Sequence, residues 1–326
     1  KPFSSDPLFF NLFSSNMGRR EANFHGSLKL NNKWSTGLFI HGNLRNQEMD
    51  NNGDSFLDAP LGEQVNILNR WQYTDLKKGW VGFGSIRLMQ DEKQVGELGF
   101  MPEIHRYENF FWGSQINTAR IDTSLKIGYV FPELSYKSFG FQSAYSNHRQ
   151  EAFYGFRNYD IDHQSFYSNI LYNSIILNTK NKFKLGFNFS YDRYLETVDT
   201  FYFNRNDISV GSFFEYSYDS LENFNLVAGI RIDSHNRLGT FFTPRLHLRY
   251  LPNETTIFRI SGGSGRKVSN IFAENQTLFG TNRRINILES GGSIYGLNPE
   301  KAWNYGISIR QIFKLFGRGG DITADY

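Results

Sequence analysis

Asp50, Asn52, Asp54 and Asp58 place oxygen-bearing side chains at positions 1, 3, 5 and 9 of one short stretch, with the Phe56 carbonyl at position 7. That spacing can wrap a hard cation, and carboxylates held this closely repel one another unless a cation sits among them. The stretch is expected to bind a structural Ca2+. It departs from an EF-hand, because position 6 is Ser55 where glycine is usual and position 12 is Leu61. A polar, Asn/Gly-rich loop tip is the plainer alternative.

Other chemistry-bearing residues form no catalytic set. Gly262-Gly263-Ser264-Gly265-Arg266-Lys267 looks like a phosphate cradle, but it lacks the Gly-Lys-Ser/Thr ending and no helical pattern follows. It reads as a strand running out into a loop. The seven histidines are dispersed and there is no cysteine, so zinc-ligand spacing is absent. The chain is read as a non-enzyme. Arg283 and Arg284 in the loop that follows, with Lys267, suit an anionic ligand or lipopolysaccharide, or simply a solvated face.

The elements that must position these residues are strands. Ile121, Thr123, Leu125, Ile127 and Tyr129 alternate with Asp122, Ser124, Lys126 and Gly128. Phe183, Leu185, Phe187, Phe189 and Tyr191 alternate with Lys184, Gly186, Asn188 and Ser190. The same period of two runs through 224–233, 242–250 and 303–310. One face is apolar and the other carries Arg, Lys, Asp and His in mid-strand. Aromatics make up 17% of the 326 residues although mean hydropathy is −0.49. A barrel wall with lipid on one side and a wet lumen on the other reconciles those values. No run of about 18 apolar residues offers a transmembrane helix. Net charge is +3 without a basic cluster, so nucleic acid is not expected as a partner. Absence of cysteine is compatible with an envelope compartment.

Short connections at 31–33, 75–78, 132–136, 179–182, 219–222, 252–255 and 315–318 alternate with long ones at 45–63, 91–117, 148–163, 195–206 and 265–299. Short turns inside and long loops outside mark an all-β, antiparallel, up-and-down transmembrane barrel of about 14 strands. Tyr250, Phe131, Phe313 and Trp34 close strands where interfacial girdles belong. The first strand is expected near 22–30, leaving 1–21 outside, and the last near 319–326. Both ends then fall on the outer side, so the chain reads as an internal piece of a larger barrel. The outer loops would bring together Arg106, Tyr107, Trp112, Arg149, Tyr154, Tyr159, Arg266, Lys267, Arg283 and Arg284. Guanidinium groups and aromatic faces together suit a bulky, anionic, partly apolar ligand such as a metal chelate.

Five stretches resemble the barrel of TonB-dependent outer-membrane receptors in their Bacteroidetes versions. They are 50–62 (DNNGDSFLDAPLG), 69–73 (NRWQY), 229–249 (GIRIDSHNRLGTFFTPRLHLR), 259–275 (RISGGSGRKVSNIFAEN) and 295–306 (YGLNPEKAWNYG). The resemblance implies a 22-stranded barrel of which residues 1–326 supply part, without the plug and TonB box. It implies the outer membrane of a Gram-negative bacterium, with lipid and lipopolysaccharide around the wall. TonB would act through the N-terminal region, and a surface lipoprotein is a possible partner. It also implies import of a scarce nutrient such as a ferric siderophore or cobalamin. Haem receptors of the family carry a loop histidine that has no counterpart between Lys267 and Leu297. The competing readings are a passive channel of roughly 14–16 strands and an outer-membrane barrel phospholipase.

Overall fold

The computed structural model describes residues 6–281, 283, 285, 295 and 297–326. Period-two alternation becomes a single antiparallel sheet of 15 strands, paired strictly in chain order. The strands are β1 (Leu8–Ser14), β2 (Arg19–Lys29), β3 (Trp34–Arg45), β4 (Leu61–Asp75), β5 (Trp80–Gly96), β6 (Gly113–Val130), β7 (Ser138–Tyr154) and β8 (Arg157–Ile176). They continue as β9 (Asn178–Val198), β10 (Phe201–Asp219), β11 (Phe224–His235), β12 (Gly239–Asn253), β13 (Thr256–Lys267), β14 (Glu300–Leu315) and β15 (Arg318–Asp325). Among the described residues, helices are confined to single turns in two outer loops: α1 (Pro102–His105), α2 (Ile271–Glu274) and a 3-10 turn (Gln276–Gly280).

Register assigns the faces. Ile121 and Leu125 share a side with Phe187, Ile230, Leu246 and Ile307, and all of these are exposed. The opposite side holds Gln150, Asn188, Asp207 and Asp233, each below 9% exposed. A curved sheet crowds side chains on its concave side and splays them on its convex side. The polar face is therefore the lumen and the apolar face meets lipid. Trp80, Tyr129, Phe139 and Tyr172 form one continuous cross-strand row near the short turns. Tyr145, Phe166 and Tyr191 form another toward the long loops. These rows suit the two interfacial girdles.

The described residues form 15 strands, in line with the expected count of about 14, while the placement of several segments differs. The additional one is β1, inside the segment expected to lie beyond the wall. Its sequence, Leu-Phe-Phe-Asn-Leu-Phe-Ser, is apolar on both faces and so shows no alternation. The connections 148–163 and 195–206 are not long loops. Gly155 and Phe156 alone join β7 to β8, and Asp199 and Thr200 alone join β9 to β10. Gly155 and Asp199 take positive φ, 57° and 52°, as tight turns demand. The inner turn expected at 179–182 lies at Leu177. Strands β7 to β10 consequently stand up beyond the outer girdle as a continuous palisade.

Candidate functional site

Two outer loops zip together above β3–β6. In loop 46–60, Asp50 accepts from the backbone amides of Gly53 (2.7 Å), Asp54 (3.2 Å) and Ser55 (2.9 Å). Asp54 accepts from Phe56 N at 2.8 Å, and Asp58 from Asn51 N at 2.7 Å. Asn52 Oδ1 accepts from Asp54 N at 3.1 Å. The expected ligands are thus gathered in one compact turn, and Ser55 takes φ 67°, the left-handed conformation that glycine has at that position in cation loops. No three acidic or histidine side chains converge as a ready cage among the described residues. This loop is tied to loop 97–112. Leu98 N donates to Ser55 O at 2.9 Å, Gly99 N donates to Glu48, and Phe56 lies 6.4 Å from the Trp112 ring.

Residues 268–281, with Tyr295, fold back over the lumenal side of the palisade. Phe272 and Phe279 bury themselves against Tyr159, Ile161 and Val198, with Tyr154, Tyr194 and Phe203 packed around them. Polar anchors flank this apolar seat. The Tyr154 hydroxyl donates to Gln276 Oε1 at 3.1 Å. Arg205 is 6% exposed, pairs with Asp207 at 3.1 Å, lies 3.9 Å from the Tyr194 ring and donates to Asn270. Arg157 donates to the Arg283 carbonyl at 2.5 Å. Tyr295 donates to Glu196 Oε2, and Tyr159 donates to Glu196 Oε1 at 2.8 Å. Burial first, and the Glu196 carboxyl second, push the Tyr295 phenol well above its ordinary range. Lys267 meets Glu274 at 2.8 Å, and that hydrogen bond holds the Glu274 carboxyl below its usual value.

The expected ligand residues divide by face. Tyr154 and Lys267 line the lumenal mouth, whereas Arg266 stands on the outward register shared with Ile260 and Ile307, 4.9 Å from the Phe241 ring. Tyr159 is fully buried beneath the segment, so it supports the mouth and does not line it. Arg149, Tyr154 and Tyr159 are strand residues, contrary to the loop placement expected for them. Arg149 points outward and pairs with Glu151 at 2.6 Å. Arg106 also reaches the outer side, onto Phe153 and Asn158, and Tyr107 beside it is exposed. Trp112 belongs to the loop 46–60 contact, Arg283 is exposed, and Arg284 lies outside the described residues. Sequence reasoning missed Glu196, Arg205, Phe272 and Phe279. Charged residues on the lumen-facing register beyond the outer girdle were the available signal for the first two.

Residues 99–326 match the family described as TonB dependent receptor-like, β-barrel. No curated protein matches the sequence. Among solved structures, the siderophore receptor PirA from Pseudomonas aeruginosa aligns over 97% of this chain and 53% of its own, with 13% identity and a TM-score of 0.67. A ferric enterobactin receptor (PfeA) mutant from P. aeruginosa in complex with enterobactin aligns over 97% and 52%, with 10% identity and a TM-score of 0.69. The alcaligin receptor FauA from Bordetella pertussis aligns over 94% and 48%, with 13% identity and a TM-score of 0.62. The chain spans about half the length of these structures, and identities this low speak for the fold alone. Strand order, the two-faced wall and the match over 99–326 agree, and the chain belongs to the TonB dependent receptor-like β-barrel family of the Gram-negative outer membrane.

Proposed function

We propose that this chain forms the wall of an energy-coupled uptake receptor for a bulky, anionic, partly apolar metal chelate, such as a ferric siderophore or cobalamin, with TonB transmitting the energy. Family membership supports the class, and the relatives' reported roles as siderophore receptors support the ligand type. The observation that carries the reading is the docking of residues 268–281 and Tyr295 onto the lumenal wall, which brings aromatic and cationic groups to one opening. The ligand contacts are assigned to Tyr154, Lys267, Arg283 and Arg284, with Arg266 standing on the outward register beside them. Resemblance of 229–249 and 295–306, the more specific of the five stretches, favours the Bacteroidetes version of the family. Uptake of labelled ferric chelates and cobalamin by expressing cells tests the reading, with and without an uncoupler. Accumulation that stops with the uncoupler, and falls in the Arg283→Ala/Arg284→Ala variant, supports it. Entry that is indifferent to the uncoupler identifies a passive channel instead.

Loop 46–60 is assigned a structural Ca2+ through Asp50, Asn52, Asp54, the Phe56 carbonyl and Asp58, on the strength of the left-handed Ser55 at its sixth position. The cation would stiffen this loop and, through Glu48 and Ser55, loop 97–112 beside it.

A further inference from the structure

The outward side of the wall changes character in one step of register. Beyond the row Tyr145–Phe166–Tyr191, strands β7 to β10 carry the polar row Asn147–Gln164–Arg193–Asn206, which meets the apolar Ile121 at β6. On β7 to β10 lipid contact therefore ends at the aromatic row. Above it, β6 to β9 enclose an outward-facing recess of about 580 Å³. Arg149 and Glu151 lie four and six residues past Tyr145, which places the recess ~13–20 Å along the strand from the girdle. Arg106 overhangs it from the α1 loop, its guanidinium 4.4 Å from the Phe153 ring.

The lining selects a ligand class. Glu151 stands directly opposite Asp160, and like charges in that register destabilise a sheet. Asp162 Oδ1 is buried and accepts no hydrogen bond. Glu151 is met by Arg149 and Asp160 by the Ala152 amide, so the Asp162 oxygen is the acceptor that calls for a donor hydrogen from outside the chain. Gln115 donates to Glu92 at 2.8 Å and keeps its amide oxygen as an acceptor, Asn117 carries an amide that both donates and accepts, and Arg149 has guanidinium donors beyond the one it gives to Glu151. Acyl chains satisfy none of these groups, and the three carboxyl groups repel a bare phosphate. Clustered hydroxyl groups satisfy them all, with the Phe153 ring as an apolar edge.

We propose that this recess holds sugar units from the core of a lipopolysaccharide molecule standing beside the barrel. The height of the recess fits that source, because the outer leaflet presents its saccharides just beyond the lipid region. The proposal rests on the outer-membrane position of the wall and is independent of the uptake reading.

The test uses the whole protein, extracted from cells making core-bearing lipopolysaccharide and from cells making a core-less form. The lipopolysaccharide retained after detergent washing is quantified. Wild type retains about tenfold more of the core-bearing form than does Arg149→Ala/Asp162→Ala, a ratio worth one or two hydrogen bonds. The core-less form is retained equally by both proteins. Labelled, delipidated core oligosaccharide binds wild type and not the variant. Gln115→Ala/Asn117→Ala provides the same reading if the first variant assembles poorly, and heat-modifiable gel mobility reports assembly. Equal retention of the core-bearing form by wild type and both variants overturns the proposal. So does an equal loss of the core-less form, which would place the contact on lipid.

Discussion

Tyr159 and Glu196, on neighbouring strands, share a 2.8 Å hydrogen bond in the lumenal wall, and Glu196 lies there at 2% exposure. Its second oxygen takes the hydroxyl of Tyr295, a residue of the folded-back segment. One buried carboxyl group thus joins the rigid palisade to the loop over it. Replacing Glu196 with Ala leaves two phenols without their acceptor and weakens loop docking by ~1–3 kcal/mol. Glu196→Gln keeps an acceptor oxygen and loses less. Limited proteolysis within 268–299 reads the difference, with faster cleavage in the Ala variant. Equal cleavage rates in all three proteins would show that the apolar seat alone holds the segment.

The raised Tyr295 phenol sets a pH dependence. A group whose pKa rises on folding contributes stability that is fully present below its unfolded value, about pH 10 for tyrosine, and lost as pH climbs through the folded value. Protection of the segment is expected to stay flat from neutrality to about pH 10 and to fall only above that. In an absorbance titration of the folded protein, Tyr295→Phe should remove no phenol from the step near pH 10. Loss of one titrating phenol from that step would mean Tyr295 is solvated.

Phe187 and Asn188 face opposite media. Phe187→Arg puts a guanidinium into lipid and costs about 2–4 kcal/mol near the bilayer midplane. Asn188, although lumenal, is 2% exposed and has no room for arginine, so Ser190 is the better lumenal control. Ser190→Arg is expected to cost much less. Urea titration of refolding into bilayers compares the two, and equal costs would reverse the assigned faces.

Calcium should act on two loops together. Calorimetry is expected to show Ca2+ binding that disappears in Asp50→Ala/Asp54→Ala. Chelation should expose both 46–60 and 97–112 to protease, since Gly99 and Leu98 hang on Glu48 and Ser55. Absence of binding heat, with unchanged cleavage, would leave the carboxylates as caps for the loop's own amides.

The sequence determined whatever depends on local alternation. Within the lipid band one face must be apolar and the other wet, so Phe183–Tyr191 and Phe224–Ile232 could be read residue by residue, and the faces followed. Alternation fades where the medium stops differing between faces. Above the outer girdle both sides of β7 to β10 are polar or covered by protein, so 148–163 and 195–206 looked like loops although backbone pairing continues through them. In β1 both faces are apolar, and the strand was invisible for the opposite reason. Only the tertiary structure decided that Phe272 and Phe279 seat on Tyr159, that Glu196 receives Tyr295, and that Arg149 turns outward. Those contacts join residues far apart in the chain. No local period encodes them, because their free energy comes from closing a long loop onto a surface that exists only once the sheet has formed.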